Sequence, residues 1–482
     1  IDLSPVDKYN LAIALKDNFD WRTGLGDTSL QFKSLFTSQI KKQPAYIGIK
    51  RGEFSAYLSP VLDIQVGKDN NVSDGLFLNK RGFALRGTLS KGIGYYSYFT
   101  TNQERDPLYV QQYQQKFTAV PGAGYYKSYQ TNGYDYFDAR GGIMFKAGKS
   151  INFQFAYDKV FIGNGFRSLI LSDFSNDMLF LKISTRFWKF NYYNLFAELT
   201  SSFKPTSDYL RPKKYMALHY LDLQVNKWMN VGLFEDVMFG RSNGFDLNYL
   251  NPVIFYRSVE QQLGSPDKVT LGGNIKLNPF KNVQFYSQVI INEFVMKEVL
   301  RYSHGYFANK QALQLGAKLI DVFNIKNLDI QGEMNLIRPF VYSHYDSVGS
   351  FTNYNQPMAH PLGANLREFI GIIRYQPANR ISLNARLMYT EQGLDSAGLN
   401  YGSNPFEFYT NRPSDYGFHI GSGLLAKTIM LTATASYEVI PNLYLDATGI
   451  IRKYKVVGSP DFNSNIVMLG IRWNIARRSF DF

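Results

Sequence analysis

The chain has 482 residues, a formal net charge of +13 and no cysteine, and aromatic residues make up 16% of it. No run approaches the roughly 18 apolar residues of a membrane-spanning helix, and the absence of cysteine excludes disulfide scaffolds and thiolate metal sites. A chain of this length would ordinarily divide into domains, but it contains no linker or low-complexity segment and reads as one unit.

Residues 1–42 differ in pattern from the rest of the chain. Ser4, Pro5 and Asp7 form the pattern of a helix start, and Leu30–Lys41 predicts a second short helix. The chain does not begin with methionine, so we expect that an export signal has been removed. We predict that residues 1–42 are an N-terminal periplasmic segment or plug, with a leader that pairs with nothing as the alternative.

Regular strand patterns begin after this segment, and residues 43–482 are predicted to form one antiparallel transmembrane β-barrel. The clearest strand is Leu328–Leu336, in which apolar and polar residues alternate. A basic residue on the lipid face near midplane costs about 2–4 kcal/mol and an acid less, so the face with Asp329 and Glu333 must line the lumen. Val283–Ile291 gives the same prediction.

A strand and a glycine-rich turn lie next to one another early in the predicted barrel. Residues 151–157, INFQFAY, have the alternation of a half-buried strand. Gly163 and Gly165 then break the pattern, because glycine lets the backbone bend or approach another group closely. We expect this turn to hold Asn164, Arg167 and Asp173 near one another without a helix.

The C-terminal region predicts tight hairpins and a final strand. Pro441-Asn442 joins two alternating segments. The last strand is predicted to run through Ile475, and Phe482 resembles the signal by which outer-membrane barrels are recognised for insertion. The long polar connections that we expect outside the cell are residues 102–134, 344–365 and 391–415.

The predicted fold class is therefore all-β, a transmembrane antiparallel barrel with a short helical N-terminal segment. Aromatic-rich strands without an apolar helix are typical of such barrels, which carry aromatic girdles at both membrane interfaces. At about 25 residues for each strand and its loop, the length gives about 16–20 strands. We expect about 18, since single-chain barrels use even numbers.

Signals of catalysis are missing from the sequence. It contains five histidines and no HExxH, CxxC, GxSxG or P-loop motif. A lone histidine in a strand or loop is usually a structural hydrogen-bonding group. We predict a protein that is not an enzyme and that needs no metal and no cofactor.

Four stretches mix aromatic side chains with polar ones, and most include Arg or a carboxylate and a rigid Pro or Gly. This mixture suits sugars, whose rings stack on aromatic faces, and Arg suits carboxylate-bearing sugars. The alternative is that Arg and carboxylates satisfy one another inside the lumen, while Pro and Gly only shape turns. The stretches are Asn251–Asp267, Asn292–Lys297, Arg338–His344 and Tyr354–Glu368.

Three motifs resemble a known family. DKVFIGNGFRSLILSDF at 158–174, LNPVIFYRSVEQQLGSPD at 250–267 and YNQPMAHPLGAN at 354–365 are similar to the Wzi-type capsule-assembly outer-membrane barrels, in the Bacteroidetes version with gliding-motility RemB-like members. The similarity covers residues from about 30 to 374. It implies an 18-stranded barrel with a small helical N-terminal element and a lectin-like role in holding extracellular polysaccharide.

Position within these motifs and the polar-aromatic stretches gives nine candidate polysaccharide-binding residues. They are Arg167, Asp173, Tyr256, Arg257, Glu260, Asp267, Arg338, His360 and Arg367.

The positive charge favours an acidic partner, because long-range fields concentrate ligands of opposite charge. We predict a monomeric outer-membrane barrel that binds acidic surface polysaccharide or lipopolysaccharide and contacts membrane lipid. Nucleic acid is not expected, since lipid-facing strands do not bind it. The alternatives are a barrel subunit of a gliding-motility or secretion complex, with other outer-membrane proteins as partners, and a substrate-selective porin.

Overall fold

A closed wall of eighteen antiparallel strands dominates the computed structural model. The first wall strand, β1 (Phe54–Asp69), pairs with the last, β18 (Phe462–Trp473), from Leu62↔Trp473 to Asp69↔Ile466. Because this pairing closes the sheet, the wall has no open edge. The predicted all-β antiparallel barrel of 18 strands is confirmed. The residues described are 6–11, 47–201, 210–241, 244–264, 267–293, 295–299 and 304–482.

Each wall strand pairs with the next one along the chain. The strands between β1 and β18 are β2 Leu76–Ser90, β3 Ile93–Arg105, β4 Gly133–Ala147, β5 Ile151–Asp158, β6 Met178–Phe187, β7 Phe190–Thr200, β8 Lys213–Gln224, β9 Met229–Phe239, β10 Lys268–Phe280, β11 Val283–Glu293, β12 Lys310–Leu319, β13 Leu328–Ile337, β14 Leu366–Ala378, β15 Ile381–Leu394, β16 Leu424–Ile440 and β17 Leu443–Val456.

Short elements accompany the wall. Ile47–Arg51 pairs with the start of β1, Tyr126–Tyr129 pairs with β4, and Thr352–Asn353 pairs with Gln356–Pro357. The helices are α1 (residues 6–11), α2 (Leu108–Phe117), α3 (Tyr256–Gln262) and α4 (Met296–Val299), with 3₁₀ turns at Leu247–Leu250, Val322–Asn324 and Tyr409–Asn411. Among the described residues, no helix has the length and apolar character needed to cross a membrane.

The two ends of the barrel differ in their connections. At one end, which we call the turn end, strands are joined by short turns such as Pro441-Asn442. At the other end, the loop end, β13 and β14 are separated by residues 338–365 and β9 and β10 by residues 240–267. This asymmetry is typical of membrane barrels.

Alternation along the strands separates an apolar outer face from a polar lumen. In β13, Asp329, Glu333 and Asn335 are buried in the lumen, as predicted. On the outer face, Phe155 and Leu233 are exposed. The outer wall is therefore an apolar belt that matches a bilayer.

The N-terminal helix lies against the lumen near the turn end. Asp7 Oδ1 is 2.9 Å from Lys276 Nζ, and Lys318 Nζ donates to Asn10 Oδ1 at 3.3 Å. Both lysines belong to lumen-facing positions of β10 and β12. The helix predicted at Leu30–Lys41 falls outside the described residues.

Two local predictions are wrong. The last strand ends at Trp473, two residues before Ile475, because residues 474–482 turn inward and run inside the wall. The long connections at 102–134 and 344–365 do not simply project from the barrel. Large parts of both fold into the lumen, where Asp69 accepts the N–H of Leu108, Lys214 donates to the Ser350 carbonyl and Glu368 binds His360.

Candidate functional site

Arg167 lies inside the lumen, in the loop that joins β5 to β6, residues 159–177, which we call the Arg167 loop. Its guanidinium binds Glu368 of β14 through Nη2–Oε1 at 3.0 Å and Nε–Oε2 at 3.3 Å. His360 Nε2 lies 2.8 Å from the same Glu368 carboxylate. All three side chains are buried, so this cluster is an internal ionic network of the barrel.

Wall side chains also hold the backbone of the Arg167 loop. The Glu333 carboxylate accepts the N–H groups of Phe166 at 2.6 Å and Arg167 at 3.0 Å. A Cβ at Gly165 would lie 2.6 Å from Glu333 Oε2, so glycine allows this close approach. The amide of Gln288 accepts the N–H of Leu169 at 2.8 Å. The predicted turn therefore exists, and it crosses the lumen.

A second loop, residues 338–365, packs on the first, and we call it the His360 loop. Tyr342 donates its hydroxyl hydrogen to the Leu169 carbonyl at 3.0 Å, and the N–H of Ser172 donates to the Met358 carbonyl at 2.8 Å. Lysines of the wall satisfy its carbonyls, since Lys214 Nζ donates to Ser350 at 2.7 Å. These bonds fix the His360 loop inside the loop-end mouth.

Two further segments complete the obstruction. The residues of α2 pack against lumen-facing apolar residues of β2, β14, β15, β16 and β18, with Val110 fully buried. Residues 474–482, the tail segment, run inside the wall from the turn end toward the loop end. Arg478 Nη1 lies 2.5 Å from Glu104 Oε2, and Phe482 packs on Tyr113. Four segments thus cross the lumen.

The candidates of stretch 251–267 lie elsewhere, on the outer face of β7–β10. Tyr256, Glu260 and Asp267 are buried there between the segment and the wall. Asp267 accepts two bonds from Arg241, at 2.8 and 2.6 Å. Arg257 is exposed and lies 2.8 Å from Glu260.

The remaining candidates are also dispersed. Arg338 is buried and donates to the Asn309 carbonyl at 2.8 Å. Arg367 faces outward from β14 and pairs with Glu391 across the strand. Asp173 is exposed on the Arg167 loop. The structure therefore brings Arg167 and His360 together and distributes the other candidates over separate places.

The loop end carries a cluster of five rings, two exposed and three partly buried, that the sequence analysis missed. The ring centroids of Tyr306 and Tyr416 are 5.3 Å apart, those of Phe307 and Tyr409 are 5.8 Å apart, and those of Tyr345 and Tyr409 are 6.4 Å apart. We call these five residues the aromatic patch. Tyr416 and Tyr345 expose 49% and 43% of their surface, so part of each residue is accessible from outside the barrel.

Main-chain bonds hold the aromatic patch in place. The N–H of Phe307 donates to the Asp415 carbonyl at 3.0 Å, and the N–H of Gly417 donates to the His304 carbonyl at 2.8 Å. A Cβ at Gly305 would lie 2.6 Å from the backbone nitrogen of Phe418, so this contact depends on glycine. The rings are therefore presented on paired loops.

Polar groups surround the rings of the aromatic patch. The Arg412 guanidinium lies 3.6 Å from the Phe307 centroid and binds Asp415 through Nη2 at 2.6 Å. Burial raises the pKa of Tyr409 to about 12, so its phenol stays neutral near pH 7. Burial lowers the pKa of His344, so its neutral ring donates through Nδ1–H to Asp346 at 3.0 Å.

This arrangement can bind flat, hydroxyl-rich ligands. Aromatic faces offer apolar stacking area, while Tyr hydroxyls and the Arg–carboxylate pair offer hydrogen bonds. The sequence signal was present in residues 408–417, FYTNRPSDYG, which have the composition of the four stretches. Within the described part of the chain, no cluster of three or more His, Asp or Glu side chains could hold a metal ion.

Comparison with solved structures finds the same architecture at low sequence identity. Wzi of Escherichia coli, an outer-membrane carbohydrate-binding β-barrel involved in group 1 capsule assembly, aligns with a TM-score of 0.55 and 11% identity over 87% of this chain and 85% of that chain. OprD of Pseudomonas aeruginosa aligns with a TM-score of 0.47 and 10% identity, over 87% and 94% of the two chains. No family model matches the chain, and no curated protein matches it.

The likeness to Wzi shows the fold. The predicted resemblance to Wzi-type barrels is confirmed to that extent, whereas a place among the Bacteroidetes RemB-like members stays a prediction.

Two arginines on opposite sides of the wall test the role of the lumen network. Arg167→Met should lower the free energy of unfolding by about 3–5 kcal/mol, because Glu368 loses its main cation while remaining buried. Arg367→Met should change it by about 0–1 kcal/mol, since Arg367 is 54% exposed and Lys427 still binds Glu391. Denaturant unfolding in detergent micelles measures both. Equal effects of the two variants would contradict the structural role given to Arg167.

Obstruction of the lumen predicts the electrical behaviour of the barrel. In planar bilayers, the purified protein should give no steady ion conductance, because four chain segments cross its lumen. An open porin inserted under the same conditions serves as the control. Regular conductance steps from the protein would mean that these segments leave the lumen in the membrane.

Proposed function

We propose that this chain is an outer-membrane barrel, without catalytic activity, that holds extracellular polysaccharide at the cell surface through the aromatic patch. One observation carries the proposal: five rings on loops fixed by main-chain bonds lie at the loop end, above an obstructed lumen. A surface of this kind suits retention of a ligand rather than its passage. The loop end is then the extracellular end.

Two further facts support the proposal. The structural neighbour Wzi is itself a carbohydrate-binding outer-membrane barrel. The net charge of +13 favours an acidic glycan or lipopolysaccharide over a neutral one, because the field of the whole protein raises the local concentration of anions.

The lumen argues for this function over a substrate-selective porin. A porin needs a continuous aqueous path, and the Arg167 and His360 loops cross that path through buried charged and backbone bonds. The other alternative, a subunit of a gliding-motility or secretion complex, stays a prediction. The monomeric state also stays a prediction.

Loss of two rings of the aromatic patch, the exposed Tyr416 and the partly buried Tyr409, tests the proposal. The double variant Tyr409→Ala/Tyr416→Ala should bind polysaccharide from the parent strain about tenfold more weakly, because two stacking contacts at about 0.5–1.5 kcal/mol each are lost. Binding of the purified barrel to immobilised polysaccharide gives the affinity. The ratio of cell-bound to released polysaccharide gives the effect in cells.

Tyr125→Ala is the matched control, since Tyr125 is half exposed at the loop end and, among the described residues, no ring contact joins it to the aromatic patch. This variant should bind like the unchanged protein. Normal retention by the double variant at normal barrel levels would refute the role of the aromatic patch. Retention lost only together with a copurifying envelope protein would favour the complex subunit.

A further inference from the structure

The segment between β9 and β10 lies on the outside of the barrel. Residues 244–264, which we call the wall flap, cover outward-facing residues of β7, β8, β9 and β10. The packed group contains Tyr249, Tyr256 and Val259 of the flap, and the wall residues beneath it are Phe196, Tyr215, Ala217, Val237, Phe239 and Val269. By strand register, these wall positions alternate with lumen residues such as Asp236 and Lys214. The flap therefore covers part of the lipid-facing surface.

Hydrogen bonds and ion pairs hold the wall flap at the loop end of the barrel. Arg241 binds Asp267 at 2.6 Å and Asp246 at 3.1 Å, and Tyr249 donates its hydroxyl hydrogen to Asp267 at 2.7 Å. Arg241 and Asp267 flank the flap where the chain leaves β9 and enters β10, whereas Asp246 and Tyr249 belong to the flap. They close its two ends together at the rim of the barrel.

A second set of hydrogen bonds holds the wall flap farther from the loop end, on the outer face of the wall. Glu235 faces outward from β9, four residues below Phe239, or about 13 Å along the strand. Its carboxylate accepts the N–H groups of Tyr256 and Arg257, both at 2.9 Å. Tyr192 of β7 donates to the Pro252 carbonyl at 2.5 Å. Three backbone groups of the flap are thus satisfied by the wall, as a segment beside lipid requires.

The wall flap also covers polar side chains that would otherwise face lipid. His219 stacks on Tyr256 with ring centroids 4.0 Å apart, and Asn194 lies opposite His219 in the strand register. Both side chains are buried, and the Tyr256 ring of the flap covers His219. Exposure of such groups to hydrocarbon would be costly, so the covered wall and its cover form one unit.

The outward side of the wall flap is apolar around its tip. Val253 exposes 84% of its surface and Leu247 75%, and Leu250, Ile254 and Phe255 are exposed beside them. Beyond the tip, the exposed face of α3 is polar, with Arg257, Ser258, Gln261 and Gln262. This order matches the change from acyl chains to headgroups along a membrane normal.

We propose that the wall flap is a membrane-inserted element, with residues 250–255 among the acyl chains of the leaflet at the loop end and α3 at headgroup level. Its partner is the lipid bilayer, because the exposed apolar tip continues the apolar outer wall, where Leu233 and Ile275 are exposed. The inference rests on the transmembrane fold and is independent of glycan binding.

The absence of cysteine makes a direct test possible. Val253→Cys, labelled with the environment-sensitive dye NBD, is reconstituted in phosphatidylcholine vesicles that carry nitroxide groups on the acyl chain or on the headgroup. NBD at residue 253 should emit at shorter wavelength than NBD at a water-exposed residue, and it should be quenched more by acyl-chain nitroxide than by headgroup nitroxide. NBD at Gln261→Cys should be quenched more by headgroup nitroxide.

Two control positions show how NBD responds when it faces lipid and when it faces water. Leu233→Cys, on the exposed wall, should behave as a lipid-facing site, and Ser414→Cys, exposed at the loop end, should respond only to a water-soluble quencher. Residue 253 responding like residue 414 would overturn the proposal. Protection of residue 253 from every quencher, together with cross-linking between labelled copies, would overturn it in favour of contact with a second copy. Neither result depends on whether the Tyr409→Ala/Tyr416→Ala variant binds glycan.

Discussion

Placement of charge relative to lipid governs this structure. Since charged side chains on the lipid face are costly, strand alternation turns charges such as Asp329, Glu333 and Lys318 into the lumen. Inside, an ion without a partner would be costly as well. The lumen therefore has to supply partners, and in this barrel much of the supply comes from chain segments that fold inward.

The Glu368 network illustrates this requirement. One carboxylate on β14 is shared by Arg167 and His360, which come from two different loops, and Asn335 donates to it at 3.1 Å. Contacts with wall side chains thus determine the position of each loop in the lumen. Lysines such as Lys214 do the same for backbone carbonyls nearer the loop end. The loops that give the polar wall side chains their partners are also the loops that obstruct the lumen.

The wall could be predicted from sequence, whereas the interior could not. Alternation in Leu328–Leu336 and Val283–Ile291 gave the correct faces, because period-two patterns are local. Arg167 and Glu368 are 201 residues apart, and no periodic signal links them. The sequence indicated that Arg–carboxylate pairs could satisfy one another in the lumen, and Arg167 with Glu368 is such a pair. It did not indicate that stretch 251–267 lies outside the wall, because apolar residues in a loop look the same whether they face a core or lipid.

The path of residues 474–482 constrains the order of assembly. They leave β18 at the turn end and extend inside the wall, where Arg477 lies near Asp446, Arg478 lies beside Glu104 at the loop end of β3, and the Phe482 carbonyl accepts from Arg452 of β17. The wall that encloses them is closed by the seam between β1 and β18. A nascent barrel must therefore draw this segment into its interior before the seam seals, or thread it through a finished cylinder afterwards. Threading would have to pass the folded loops, so the geometry favours late closure of the seam around an interior that is already partly assembled.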